Sequence, residues 1–333
     1  MLNQLGETTR AGLRGIARGA IRAGEPLRGP ATKRLNRAFN RPIGALERHS
    51  SLHPLGAWER LRGHDRLAGA VAGKTVMVTG SSSGIGEAAA LRIAAAGATV
   101  LLVARSADKL EALREQIEAA GGSAFVYPCD LAEGHDSAAM VVAVLERHGA
   151  PDVLINNAGR SIRRSIENSY DRLHDFERTM ELNYFGALRL ILGFLPQMRQ
   201  RGSGQIINIS SASVQTRTPR FSGYVASKAA LDAFSDAVQA ESLGEGIRFT
   251  TISMPLVRTP MIAPTGIYRR FPSMATDEAA LLIAEAIVYR PRRLAPPFAY
   301  AASFADAINP NLMDSVRNRG YRMFPESGRR EDT

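Results

Sequence analysis

The chain has 333 residues, 45% hydrophobic and 22% charged, ordinary values for a globular protein long enough to bury a core without staples. Its single cysteine, Cys129, excludes an internal disulfide framework and a cysteine-rich zinc site, and no run approaches the ~18–20 apolar residues of a membrane span. The net charge of +10 is uneven: residues 1–70 hold 13 Lys and Arg against 5 Asp and Glu, so the remainder is nearly balanced and a domain-wide nucleic-acid surface is not expected.

Residues 1–70 read as a basic N-terminal extension. Arg10, Arg14, Arg18 and Arg22 recur every four residues and would share one helical face, a pattern suited to an anionic membrane surface. Gly12, Gly15, Gly19 and Gly24 each oppose helix by ~1 kcal/mol, which favours a solvated, partly helical or disordered arm. A secretory signal is not expected, because no apolar h-region follows the first basic residues; an organelle transit peptide shares this composition. Leu52, Leu55, Trp58 and Leu61 have helical spacing and are expected to pack on the main domain.

From Lys74 the pattern changes. Strands are expected at 74–79, 98–103, 124–127, 152–156, 205–209 and 248–253. Helices are expected near 84–96, 107–120, 136–148, 171–200 and 223–243. Strands apolar on both faces, alternating with helices, call for a doubly wound parallel sheet of Rossmann type, covered on both sides. We assign 71–295 to this catalytic domain and 296–333 to a C-terminal helical tail that completes the substrate side.

Gly80-Ser81-Ser82-Ser83-Gly84-Ile85-Gly86 follows the first strand and opens a helix. Its glycines let the backbone approach a pyrophosphate, and the helix N-terminus offers free N–H donors. The second strand ends Val103-Ala104-Arg105, without the carboxylate that would hold the ribose hydroxyls of NAD. Arg105 can instead pair with a 2′-phosphate, so NADP(H) is the expected cofactor.

Tyr224 and Lys228 lie four apart in a helical segment and share a face. A nearby ammonium should lower the phenol's pKa from ~10 and make the pair a general acid/base. Asn156-Asn157-Ala158-Gly159 ends the fourth strand and Ser210-Ser211 the fifth, both at the carboxyl edge where open α/β sheets bind ligands. Asn183 is a polar residue amid apolar neighbours and needs partners.

With these motifs the sequence closely resembles the short-chain dehydrogenase/reductase family over about residues 72–290. The resemblance rests on Thr79-Gly80-x-x-x-Gly84-Ile85-Gly86, Asp130-Leu131, Asn156-Asn157-Ala158-Gly159, Asn183, Ser211 and Tyr224-x-x-x-Lys228. It implies that Tyr224 transfers the proton, Ser211 holds the substrate oxygen, Lys228 binds the nicotinamide ribose and tunes Tyr224, and Asn183 holds a relay water. It further implies cofactor contacts at Gly80, Ser82, Ser83, Gly84, Ile85, Gly86, Asp130, Leu131, Asn157, Ala158, Gly159, Tyr224 and Lys228. The family's usual Pro-Gly after the sixth strand is Pro255-Leu256 here, with Val257 and Thr259 still at carboxamide-binding positions. Prolines in Arg292-Arg293-Leu294-Ala295-Pro296-Pro297 should spoil the last strand and with it the family's common tetramer interface, so a homo-oligomer is an open expectation.

Within the family, Arg160-Ser161-Ile162-Arg163-Arg164, Met254 to Thr265 and Gly320-Tyr321-Arg322-Met323-Phe324-Pro325 resemble the reductase domain of bacterial fatty acyl-CoA reductases. That resemblance implies reduction of a long-chain acyl-CoA to its aldehyde. Arg160, Arg163 and Arg164 are candidate partners for coenzyme A phosphates. The 255–275 loop with Phe298, Tyr300, Phe304, Ile308 and Leu312 is a candidate acyl groove. Three other readings stay open: a carbonyl reductase or alcohol dehydrogenase on a lipid-like ketone or aldehyde, a non-catalytic NADP(H) sensor, and a membrane-surface protein acting through its arm. No nucleic-acid partner and no metal are expected, since the six histidines do not cluster with carboxylates. The expected location is the cytoplasm, with peripheral membrane contact through residues 1–70.

Overall fold

The structure, a computed structural model, describes residues 63–263, 268 and 271–323. The expectations for the basic arm and for Leu52 to Leu61 lie outside the described residues.

The strands are β1 (Thr75–Thr79), β2 (Thr99–Ala104), β3 (Ser123–Pro128), β4 (Val153–Asn156), β5 (Gly204–Ser211), β6 (Ile247–Met254) and β7 (Arg293–Leu294). They form one parallel sheet in the order β3-β2-β1-β4-β5-β6-β7. The order reverses between β1 and β4, and the crevice at such a switch point is where α/β sheets take ligands. Helices run in chain order as α1 (Gly63–Val71), α2 (Gly84–Ala95), α3 (Ala107–Ala119), α4 (Gly134–His148), α5 (Leu173–Met180), α6 (Ala187–Arg201), α7 (Ala212–Thr216), α8 (Ser222–Glu241), α9 (Thr276–Tyr289), α10 (Pro297–Ile308) and α11 (Pro310–Met323). Alternate strand residues feed two buried cores. Val76, Val78 and Val100 pack with Ile93 and Ile283 on one face; Met77, Leu101 and Leu154 pack with Leu190 and Phe194 on the other. Both faces are therefore dry, which is why the strands read as continuous apolar runs.

Two features depart from expectation. The helix anticipated over 171–200 is interrupted by a π-helical stretch, Glu181–Gly186, between α5 and α6. It carries Asn183, and wide turns of this kind mark functional positions. The prolines around 291–297 also do not abolish the last strand. Pro291 and Pro296 flank it, while Arg293 and Leu294 still pair with Thr251 and Ile252 of β6. As an edge strand, β7 leaves one side unpaired, where proline's missing N–H does no harm.

Leu256 replaces the family's glycine without strain. Its backbone is not in the left-handed region. Its carbonyl accepts from Met274 N–H at 2.8 Å and Met274 in turn accepts from Arg258 N–H at 2.9 Å. This bridge holds the chain extended after β6, a conformation any residue adopts.

Candidate functional site

The carboxyl ends of β1, β2, β4, β5 and β6 open into one cavity of about 960 Å3. The first turn is built by close approach. A Cβ at Gly86 would stand 2.3 Å from the Gly80 carbonyl oxygen, so only glycine fits. Gly84 has φ +63, and a Cβ there would meet Thr259 Cγ2 at 3.1 Å, which sets the glycine turn against the loop after β6. Thr79 fastens the turn after β4: its Oγ1 accepts from Asn157 N–H and Ala158 N–H, both at 2.9 Å. The Asn157 amide donates to the Thr79 carbonyl at 2.9 Å. Arg105, at the end of β2, is exposed on the cavity wall, 3.7 Å from Asp130 after β3.

Gly80, Ser82, Ser83, Gly84, Ile85, Arg105, Asp130, Leu131, Asn157, Ala158, Gly159, Pro255, Val257 and Thr259 all line this cavity, as do Ser211, Tyr224 and Lys228. Gly86 and Asn183 stand behind its wall and shape it. The Gly80–Gly86 turn, the α2 N-terminus and the guanidinium beside Asp130 together match what a dinucleotide phosphate needs: close backbone, N–H donors and a cation.

Ser211 caps α7, its Oγ accepting from Ser213 N–H at 3.2 Å and from the Ser213 hydroxyl at 2.8 Å. Burial raises the Tyr224 phenol above its usual pKa, and hydrogen bonding with Ser211 opposes that rise. The expected lowering of the phenol by Lys228 is not what the structure gives. The buried Lys228 Nζ donates to the Ile209 carbonyl at 2.8 Å, and burial pulls its own pKa down to about 8. A phenol held protonated suits donation of a proton rather than its removal.

Asn183 is buried, with three of its four side-chain hydrogen-bonding positions engaged. Its Oδ1 accepts from Arg160 N–H at 2.7 Å, and its Nδ2 donates to the Arg160 carbonyl and to Ser227 Oγ, both at 2.9 Å. Ser227 donates onward to the Tyr224 carbonyl at 2.8 Å. Any water Asn183 holds must therefore use the remaining Oδ1 lone pair or the main chain. Sequence reading missed Ser227, although it lies within the Tyr-x-x-x-Lys motif.

The candidate coenzyme A arginines are not gathered in the cavity. Of residues 160–164 only Ser161 lines it. Arg164 Nε lies 3.4 Å from the buried Asp175, which Arg172 and Arg178 also hold. Arg163 stays near Tyr268, where burial raises the phenol and the Arg163 charge opposes it. Only some of the candidate acyl-groove residues line the cavity. Phe298, Met261, Ile262, Tyr268 and Phe271 line the cavity, whereas Phe304, Ile308 and Leu312 face outward. Tyr300 packs with Ala212, Ala295 and Ala299 instead. Helix α10 reaches the cavity only through its first turn.

The rest of the tail is held by charge, a feature with no local sequence signal. Buried Asp306 on α10 pairs with Arg217, after α7, and with Arg317 on α11. Arg317 Nε also donates to the Thr216 carbonyl at 3.1 Å. Arg220 stacks its guanidinium 3.9 Å from the Tyr321 ring centre and donates to the Tyr321 carbonyl. Cys129, buried after β3, forms part of the cavity wall, and burial pushes its thiol up to about 11. Among the described residues no group of His, Cys, Asp and Glu is arranged to hold a metal, and no helix is long and apolar enough to cross a membrane.

A parallel sheet with a glycine turn at its switch point and a Tyr-x-x-x-Lys pair at its carboxyl edge defines a nucleotide-dependent oxidoreductase. The family profile for short chain dehydrogenase matches residues 74–267, and the chain belongs to that family. It is 57% identical over 264 residues to an uncharacterised oxidoreductase of Mycobacterium bovis, covering 78% of this chain and 77% of that one. It is 53% identical over 257 residues to a fatty acyl-CoA reductase of Acinetobacter baylyi, covering 77% and 87%. Among solved structures, a metagenomic short-chain oxidoreductase in complex with NADP superposes with a TM-score of 0.58 at 29% identity, covering 66% of this chain and 92% of that one.

Proposed function

We propose that the protein is an NADP(H)-dependent reductase that converts a long-chain acyl-CoA to its aldehyde. The observation that carries this reading is the mixed lining of the cavity. The apolar side chains of Met261, Ile262, Phe271 and Phe298 line the same cavity as Ser211, Tyr224 and Lys228. Apolar lining suits an acyl chain, and burying a chain against it gains about 0.8 kcal/mol per methylene. The 53% identity to the Acinetobacter reductase supports the same reading.

The turn Gly80–Gly86 would offer backbone donors to the pyrophosphate, and Arg105 would hold the 2′-phosphate. When bound, the reduced cofactor would supply the hydride at this edge. The Ser211 and Tyr224 hydroxyls receive the oxyanion that forms on the thioester carbonyl, where fixed donors act most strongly. Tyr224 then gives up its proton to that oxygen. Collapse of the hemithioacetal breaks the C–S bond, expels the coenzyme A thiol and leaves the aldehyde. Lys228 would hold the ribose and contribute its charge beside the phenol, while Asn183 locks Arg160 and Ser227 and so fixes the wall. We also retain the assignment of 71–295 as the catalytic unit and of the tail as its substrate-side cover.

A second reading, reduction of a lipid-like ketone or aldehyde, is favoured by one observation: Arg160, Arg163 and Arg164 do not line the cavity, so among the described residues no cluster of cations awaits a coenzyme A inside it. The test is NADPH consumption with a long-chain acyl-CoA, assaying free thiol and aldehyde together. Equal yields of both establish acyl-CoA reduction. Turnover of the aldehyde or a ketone without thiol release selects the second reading.

A further inference from the structure

Helix α8 carries an ionisable group that the reaction as described does not use. Asp232 follows Lys228 by four residues, as Lys228 follows Tyr224, so the three share one helical face. Asp232 is buried, and its Oδ2 accepts from Ser210 Oγ at 3.0 Å. Ser210 is the neighbour of Ser211 on β5 and itself lines the cavity. The other carboxylate oxygen, Oδ1, is buried with no hydrogen-bond partner. An orphaned buried carboxylate oxygen weakens a fold, and an apolar side chain would avoid that cost. Packing alone does not account for it.

Electrostatics supplies a role. Lys228 is buried against a neutral carbonyl and makes no direct ion pair among the described residues. Burial disfavours its charge, and Asp232 is the group whose field restores it. The same carboxylate makes ionisation of Tyr224 harder. Asp232 is in turn surrounded by Ser210 on β5, Arg293 on β7, and Lys228 and Asp236 on its own helix. Arg292 and Arg293 both pair with Asp236, so the outer end of this row carries a net positive charge that helps keep the inner carboxylate ionised.

We propose that Asp232, fixed by Ser210, is a positioning residue that keeps Lys228 charged and Tyr224 protonated, and so sets the alkaline limit of the reaction. This rests on the assignment of Tyr224 and Lys228 made above. Removing the negative charge makes each group lose its proton at lower pH, and the alkaline limb follows whichever goes first. At the separation of one helical turn the expected displacement is about one pH unit.

The experiment is the pH profile of kcat/KM for NADPH-dependent reduction in the parent, Asp232→Asn, Asp232→Glu and Ser210→Ala proteins, with Tyr224→Phe as control. Asp232→Asn should move the alkaline limb down by about one unit, Asp232→Glu should return it toward the parent, and Ser210→Ala should move it part of the way. A second readout needs no turnover: tyrosinate absorbance, taken as the difference from Tyr224→Phe, should appear at lower pH when Asp232→Asn is introduced. An unmoved limb and an unmoved Tyr224 titration in folded Asp232→Asn overturn the proposal while leaving the catalytic assignment intact. If Asp232→Asn does not fold, Ser210→Ala decides by the same two readouts. Full activity in Tyr224→Phe overturns the underlying assignment, and the role of Asp232 with it.

Discussion

The two sides of the cavity are held by different physics. The cofactor side is made of short backbone-scale contacts: Gly86 against the Gly80 carbonyl, and Thr79 bonded to the main chain of Asn157 and Ala158. On the C-terminal side, α11 has no buried residue and is tied down through Asp306, Arg217, Arg317 and the Arg220–Tyr321 stack. The first kind of contact tolerates no change in shape. The second tolerates changes in shape but not in charge, because breaking one partner strands the others.

The sharpest test of the cofactor side is Tyr224→Phe. Removing the proton donor should reduce turnover by at least about a hundredfold, with NADPH affinity by fluorescence titration nearly unchanged. Asp306→Ala tests the other side by leaving Arg217 and Arg317 without their shared carboxylate. Because Asp306 is buried and Arg317 half-buried, the loss should be about 3 kcal/mol by denaturant unfolding, with earlier proteolysis within α11. If stability is unchanged, the tail is held by something other than charge. Arg105→Ala should weaken NADPH about tenfold or more while leaving NADH within about twofold, read as the ratio of the two dissociation constants. Asp232→Asn should raise stability at pH 7 by an amount on the order of 2 kcal/mol. The carboxyl is pushed up to about 6, so the folded state holds the proton more tightly than the unfolded chain, and stability falls as pH rises from about 4 to 6. Below pH 4 parent and variant should converge. The smallest effect is expected from Arg160→Ala, whose main chain, not its guanidinium, engages Asn183; turnover should stay within about twofold.

The same contrast decides what could be read in the sequence. Strand and helix positions through β6 were legible because each segment is apolar on a fixed period and punctuated by glycine. The carboxyl-edge residues were legible because their partners are near in sequence or fixed by strand ends. Asn183 was visible as an anomaly, but not its π-helical setting, since one extra residue per turn leaves no trace in a hydrophobic pattern. The direction of the Tyr224 shift was misread because four-residue spacing sets proximity, not where the ammonium points. Lys228 turns to the Ile209 carbonyl. Arg164 looked free for a ligand and is instead held by Asp175, eleven positions along the chain. Arg217 and Asp306 are 89 positions apart, a separation at which charge pairing has no sequence signature.

The wall of the cavity also contains a dormant reporter. Cys129 is the chain's one cysteine, and with its thiol near 11 only roughly one molecule in ten thousand carries a thiolate at neutral pH. Alkylating agents should therefore ignore the resting protein near neutrality, yet label a single defined position at high pH. Since that sulfur lies beside Asp130, anything bound along this wall should slow the labelling. One covalent probe, needing no substrate, thus converts occupancy of the cavity into a rate.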